Sequence, residues 1–289
     1  MNTVKSRLIS LNLQFFLCLL SFSLLACSAS APTSEVKPKA TASSSTSVTK
    51  SNQLIGVDGI KSWDALAETE KSKIRSFNTF YLHQSVGADL EDAANVIGYK
   101  FEYIESGSNQ LSAGLNGGLF KASNGDTAAK INEFREMALL NSNTAQLAVM
   151  SFGYADIVED KLTIAKTDYL AAANAIKANG MKILHITPPL VFNLPSDNHP
   201  KMQLRQWMLE TFKNDVIFDL QSLESLEPKT GLRCEREGSW EICDSVRSTA
   251  ACPSLNQGVD APSGQGHLCH SQTQTLVKAF LYSIYQAGK

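Results

Sequence analysis

The sequence predicts an α/β domain built on a parallel sheet of about five strands with helices on both faces. Three observations predict it. Short apolar, β-rich runs recur along residues 54–289; stretches of helical periodicity lie between them; and no internal repeat breaks the alternation into smaller units. The composition fits a globular domain, with 43 % hydrophobic residues. Charge is nearly balanced, 26 basic against 28 acidic residues. That balance argues against a nucleic-acid partner, which needs clustered Lys and Arg to neutralise phosphates.

The expected strands are Phe80-Tyr81-Leu82, Phe101-Glu102-Tyr103-Ile104, Gln146–Met150, Lys182–Ile186 and Val216-Ile217-Phe218. The spacing predicts a helix over 128–140, with Ile131, Phe134 and Ala138 on one face. A second runs over 166–179, where Leu170, Ala173 and Ile176 align before the stop signal Asn179-Gly180. A third covers 272–286, with Leu276, Phe280 and Ile284 in a stripe.

Residues 1–26 read as a secretory signal peptide: Lys5 and Arg7, an uncharged apolar stretch to Leu25, then small residues. Without Lys5 and Arg7 the remaining chain has 24 basic and 28 acidic residues. Leu24-Leu25-Ala26-Cys27 resembles a bacterial lipobox, which implies cleavage before Cys27 and lipidation of that residue. Several acyl chains, at about 0.8 kcal/mol per buried methylene, would anchor the protein to a membrane. Ser28 in the next position implies, by the same resemblance, the outer membrane. Simple cleavage near Ala29 or Ala31, releasing a secreted protein, is the alternative. Residues 27–53 are rich in Ser, Thr, Ala, Lys and Pro and lack aromatic residues, which predicts a flexible tether reaching about 25–30 Å.

In parallel sheets the reactive groups gather at the carboxyl ends of the strands. His83-Gln84-Ser85-Val86-Gly87 follows the first strand. A Ser in such a turn can expose its hydroxyl beside a helix N-terminus, although a turn Ser is also an ordinary helix cap. Asn124-Gly125-Asp126-Thr127 precedes the helix 128–140, where Gly permits close approach of backbone N–H groups and Asp or Thr can cap. The third strand leads into Ser151-Phe152-Gly153-Tyr154-Ala155-Asp156, in which Asp156 either organises a site or caps the next segment. Gly264-Gln265-Gly266-His267-Leu268 leads into the last helix.

Taken in order, these four blocks resemble the SGNH/GDSL hydrolase superfamily, and most closely its divergent bacterial members whose first block reads His-x-Ser-x-Gly. Asn124–Ile131 and His185-Ile186-Thr187-Pro188-Pro189-Leu190 are similar to the same group. The resemblance spans about residues 77–286. It implies a three-layer sandwich with a flavodoxin-like sheet, Ser85 as nucleophile and His267 as general base, with no cofactor or metal. The N–H groups of Ser85 and Gly125 would form the oxyanion hole, with His83, Gly153 and Asp156 in support. Two departures stand out. Ala155 occupies the place of the family's oxyanion-binding Asn, a kind of donor whose loss costs about 2.7–4 kcal/mol of transition-state stabilisation. Gly264 occupies the place of the family's Asp, so His267 must be oriented by a backbone carbonyl or by Asp260.

Cys234, Cys243, Cys252 and Cys269 lie in a loop-rich insertion around 229–269. In an oxidising compartment four cysteines form two disulfides, with three possible connectivities. A zinc site using them with His267 or His270 is the alternative, although no Cys-x-x-Cys pair is present. The resulting expectation is an envelope-anchored serine esterase acting on acyl esters, such as O-acetyl groups of polysaccharide. A non-catalytic binding or envelope-assembly protein on the same fold is the alternative.

Overall fold

The computed structural model describes residues 53–289. The predicted signal peptide, Cys27 and nearly all of the predicted tether therefore lie outside the described residues. Gln53, expected as the last tether residue, instead opens the first strand.

In chain order the elements are β1 (Gln53–Ile55), α1 (Asp58–Asp64), α2 (Glu68–Ser72), β2 (Thr79–His83), α3 (Ser85–Val96), β3 (Glu102–Tyr103), β4 (Leu115–Leu119) and α4 (Thr127–Leu140). They continue with β5 (Leu147–Met150), α5 (Leu162–Ala178), β6 (Lys182–Ile186), α6 (Pro195–Thr211), β7 (Val216–Phe218), α7 (Leu220–Glu224), the short hairpin β8 (Glu235–Arg236) and β9 (Ser239–Trp240), and α8 (His270–Gly288). Seven strands form one sheet in the order β1-β7-β6-β5-β2-β4-β3, and every pairing is parallel. Its central five, β4-β2-β5-β6-β7, have the flavodoxin-like order 2-1-3-4-5. The two edge strands β1 and β3 bring the total to seven rather than about five.

Side chains alternate across the sheet as the strand period requires. Tyr81, Val149, Leu184 and Phe218 face a core shared with Leu90 of α3 and Phe280 and Ile284 of α8. Phe80, Leu82, Ala148, Met150, Ile183 and Ile217 face the opposite core, against Phe134 of α4, Ile176 of α5 and Leu204 of α6. The molecule is thus a three-layer α/β sandwich. Among the described residues, no helix is long and apolar enough to cross a membrane.

The second expected strand shrinks to the two-residue edge strand β3. The inner strand beside β2 is β4, Leu115-Asn116-Gly117-Gly118-Leu119, which the sequence reading leaves out because Gly is a poor strand former. Close packing explains both glycines. A Cβ on Gly117 would stand 2.2 Å from Glu91 Oε2, and one on Gly118 2.2 Å from the Ile104 carbonyl oxygen. The four insertion cysteines pair as Cys234–Cys243 and Cys252–Cys269. Glu227 lies near Cys234 and Cys243, but both sulfurs of that pair are bonded to each other, so the zinc alternative gives way to disulfides.

Candidate functional site

β2 lies at the point where the strand order reverses, with β4 on one side and β5 on the other. In open parallel sheets the loops on the two sides of such a reversal diverge and form the usual ligand crevice. Ser85 stands at that place as the first residue of α3. Gln84, in extended conformation, occupies the N-cap position, but its side chain does not cap the helix. Its Nε2 donates instead to the carbonyls of Phe120 and Ala122, both at 3.2 Å, and fastens the loop after β4. Ser85 is therefore not a cap, and the first-turn N–H groups of α3 stay available to an anion.

The flanking residues of the first block have mechanical roles. His83 is buried, with Nε2 2.6 Å from Glu91 Oε2 and Nδ1 3.0 Å from the Gln84 carbonyl oxygen. A Cβ on Gly87 would lie 2.3 Å from His83 Cβ and 2.6 Å from the Tyr81 hydroxyl. Gly87 lets the first turn of α3 press onto His83, and His83 in turn holds the Gln84 carbonyl. The block His-x-Ser-x-Gly thus fixes the turn that presents Ser85.

His267 approaches from the chain segment before α8. Its Nδ1 is 2.5 Å from Asp260 Oδ1, and its backbone N–H donates to Asp260 Oδ2 at 2.9 Å. Asp260 thereby fixes the orientation of the His267 ring. The Gly264 backbone has φ of 77°, a left-handed conformation that favours glycine, and its N–H donates to the Phe192 carbonyl. With Nδ1–H committed to a carboxylate, Nε2 of the imidazole is the free basic nitrogen. The Tyr154 ring packs edge-on against His267 at 5.2 Å between centroids.

Asp89, one turn into α3 from Ser85, ties the two sides of the crevice together. Its Oδ2 accepts the Leu268 N–H at 2.8 Å and its Oδ1 accepts the Ser254 hydroxyl at 2.5 Å. Burial pushes the Asp89 carboxyl up to about 6. The Cys252–Cys269 bridge pins the same segment two residues beyond His267. Ser85 and His267 are thus carried on segments joined within one helical turn of each other. Among the described residues, no hydrogen bond reaches Ser85 Oγ.

The floor of the crevice is organised by Asp156, which is fully buried. Its carboxylate accepts the N–H groups of Gly125 at 2.7 Å and Gly153 at 2.6 Å, and both oxygens lie 2.8 Å from Lys130 Nζ. The Thr127 hydroxyl donates to its carbonyl, and Lys161 Nζ donates to the Gly125 carbonyl. Asp156 is therefore a tie between the loops after β4 and β5, not a helix cap. Asp126 caps α4, accepting from the Ala129 N–H at 3.1 Å. One expectation needs correction: the Gly125 N–H does not face an oxyanion, because it already donates to Asp156.

Lys130 is the residue the sequence reading misses. It sits on the stripe of Thr127, Ile131 and Phe134, so a lysine on an apolar helix face was the available signal. Burial lowers its ammonium pKa, against the opposing pull of Asp156. A second buried acid, Glu224, accepts the Leu190 N–H at 2.7 Å, and burial raises its pKa well above the ordinary carboxylate range. The Leu190 carbonyl lies 2.1 Å from where a Cβ on Gly266 would stand, so Glu224 braces the backbone against which the His267 segment packs.

No protein-family model matches the chain, and comparison with curated proteins finds no match. The geometry describes an α/β protein with a Ser at the topological switch point and a His–Asp pair carried to the same edge.

Proposed function

We propose that this chain is a serine esterase of SGNH type, with Ser85 as nucleophile, His267 as general base and Asp260 as the acid that orients His267. The observation that carries the reading is the Asp260–His267 bond, which leaves Nε2 as the basic nitrogen on a segment that the Leu268–Asp89 bond ties to the helix of Ser85. In the reaction Ser85 Oγ attacks the acyl carbonyl carbon and its proton passes to His267 Nε2. The carbonyl electron pair moves onto oxygen, and the uncapped N-terminus of α3 supplies N–H donors to that charge. The tetrahedral adduct collapses, the alcohol leaves with the proton from His267, and water then releases the acid from the acyl-enzyme. Acyl-ester turnover that disappears in Ser85→Ala tests the reading.

The lipobox-like tetrad supports lipidation at Cys27, and Ser28 in the next position supports residence at the outer membrane. That location favours O-acetyl groups of envelope or extracellular polysaccharide as substrates, with lipid esters as the other class. One observation favours a second reading, a non-catalytic binding or assembly protein: Ala155 offers no side-chain donor, and Asp156 occupies the Gly125 N–H. Loss of both expected donors is what a retired oxyanion hole would look like. Wild-type turnover no faster than that of Ser85→Ala would favour this second reading.

A further inference from the structure

The geometry points to Asn124 as the side-chain oxyanion donor of this site, replacing the Asn that Ala155 has displaced. The inference rests on the serine-esterase reading above and adds a catalytic residue to it.

Three observations carry it. First, the Asn124 amide has a fixed orientation. Lys130 Nζ donates to Asn124 Oδ1 at 3.1 Å, and an ammonium has no acceptor, so the carbonyl side of the amide must face Lys130. The Nδ2 side is turned away from Lys130, and among the described residues nothing accepts its two N–H groups. Second, the amide lies beside the nucleophile turn. A Cβ built on Gly153 would stand 3.5 Å from Asn124 Oδ1 and 3.7 Å from Gln84 Cβ, so Asn124 and the residue before Ser85 flank the same glycine. Third, the loop carrying Asn124 is held from both ends. Gln84 grips Phe120 and Ala122 on one side, and Asp156 and Lys161 grip Gly125 on the other. A donor held this way needs little reorganisation when charge develops, which is the condition for a strong oxyanion contact.

The buried Lys130–Asp156 pair gains a purpose from this. Lys130 contacts both Asp156 oxygens and the Asn124 side-chain carbonyl at once, so one ammonium holds the acceptor of the Gly125 N–H and the Asn124 amide together. In the tetrahedral adduct the former carbonyl oxygen, now carrying the electron pair, accepts from the Ser85 backbone N–H and from Asn124 Nδ2.

Asn124→Asp tests the assignment. Asp keeps the shape and the acceptor toward Lys130 but has no N–H to give. With p-nitrophenyl acetate as substrate, kcat should fall by about 10²–10³-fold, the usual effect of removing one such donor, while KM stays near the wild-type value. Asn124→Ala should lose a similar factor, and Ala155→Asn placed in the Asn124→Asp background should recover part of it. Unfolding midpoints for each variant report whether it has folded. A folded Asn124→Asp or Asn124→Ala enzyme with wild-type kcat overturns the assignment while leaving the esterase reading intact, provided that Ser85→Ala is inactive. Wild-type turnover equal to that of Ser85→Ala overturns the esterase reading itself, and the assignment with it.

Discussion

Asp89 makes a testable claim about pH because it is buried and serves two donors, the Leu268 N–H and the Ser254 hydroxyl. Burial raises its carboxyl from 3.8 to about 6, so the folded chain holds a proton between about pH 4 and 6 that the unfolded chain has released. The favourable contribution of this group is full below the unfolded value and is lost as pH rises through the folded value. The stability of wild type relative to Asp89→Asn should therefore fall by up to about 1.4 kcal/mol per pH unit across that window. Urea unfolding of both proteins at pH 4 and pH 6.5 measures the difference, and a difference independent of pH would contradict the assignment. At this scale, much of the candidate site was legible in the sequence. Ser85, His267 and Asp156 stand just after strands or before a helix, where side-chain chemistry is legible from position. Asp260 was legible only as one of two ways to orient His267, because seven residues separate the pair and only the fold of the loop sets their contact. The fate of the Gly125 N–H was not legible, since nothing in a glycine's identity says which acceptor its backbone will meet.

At the scale of elements, the strands with branched or aromatic side chains declared themselves and the glycine-bearing β4 did not. Its register is set by what approaches it, the Glu91 carboxylate and the Ile104 carbonyl, and those contacts come from elsewhere in the chain. The helices over 128–140, 166–179 and 272–286 were legible from periodicity, and the structure sets their bounds at Thr127–Leu140, Leu162–Ala178 and His270–Gly288. Helix α6 was not, because Pro195 and Pro200 interrupt a polar stretch with little apolar stripe. The cysteines predicted two disulfides but not their pairing, which depends on how the insertion folds. That pairing distinguishes two bridges by position. Cys252–Cys269 closes the loop that carries Asp260 and His267, whereas Cys234–Cys243 closes a hairpin. Replacing Cys252 and Cys269 together by Ser should cost about 2–4 kcal/mol of stability and also lower kcat. The corresponding change at Cys234 and Cys243 should lower stability with kcat kept. Equal kcat in the two double variants would show that the Cys252–Cys269 bridge does not position His267.

At the scale of the whole molecule, the fold class followed from the alternation of strands and helices, and the flavodoxin-like order of the five central strands places Ser85 at the reversal point. The edge strand β1 was beyond reach because a segment of three residues carries no usable periodicity, whereas β3 lies inside the longer run expected over 101–104. The proposed envelope location makes its own prediction: fatty-acid labelling of the full chain should be abolished by Cys27→Ser, and equal labelling of both proteins would refute lipidation. Ser85 and His267 acting as one nucleophilic unit is what the proposed esterase activity requires. It is tested most directly by hydrolysis of p-nitrophenyl acetate by wild type, Ser85→Ala, His267→Ala and the double variant. Each single substitution should cost nearly as much as the pair, because removing either member disables the other. Wild-type hydrolysis no faster than that of Ser85→Ala, or losses that simply add in the double variant, would contradict the account.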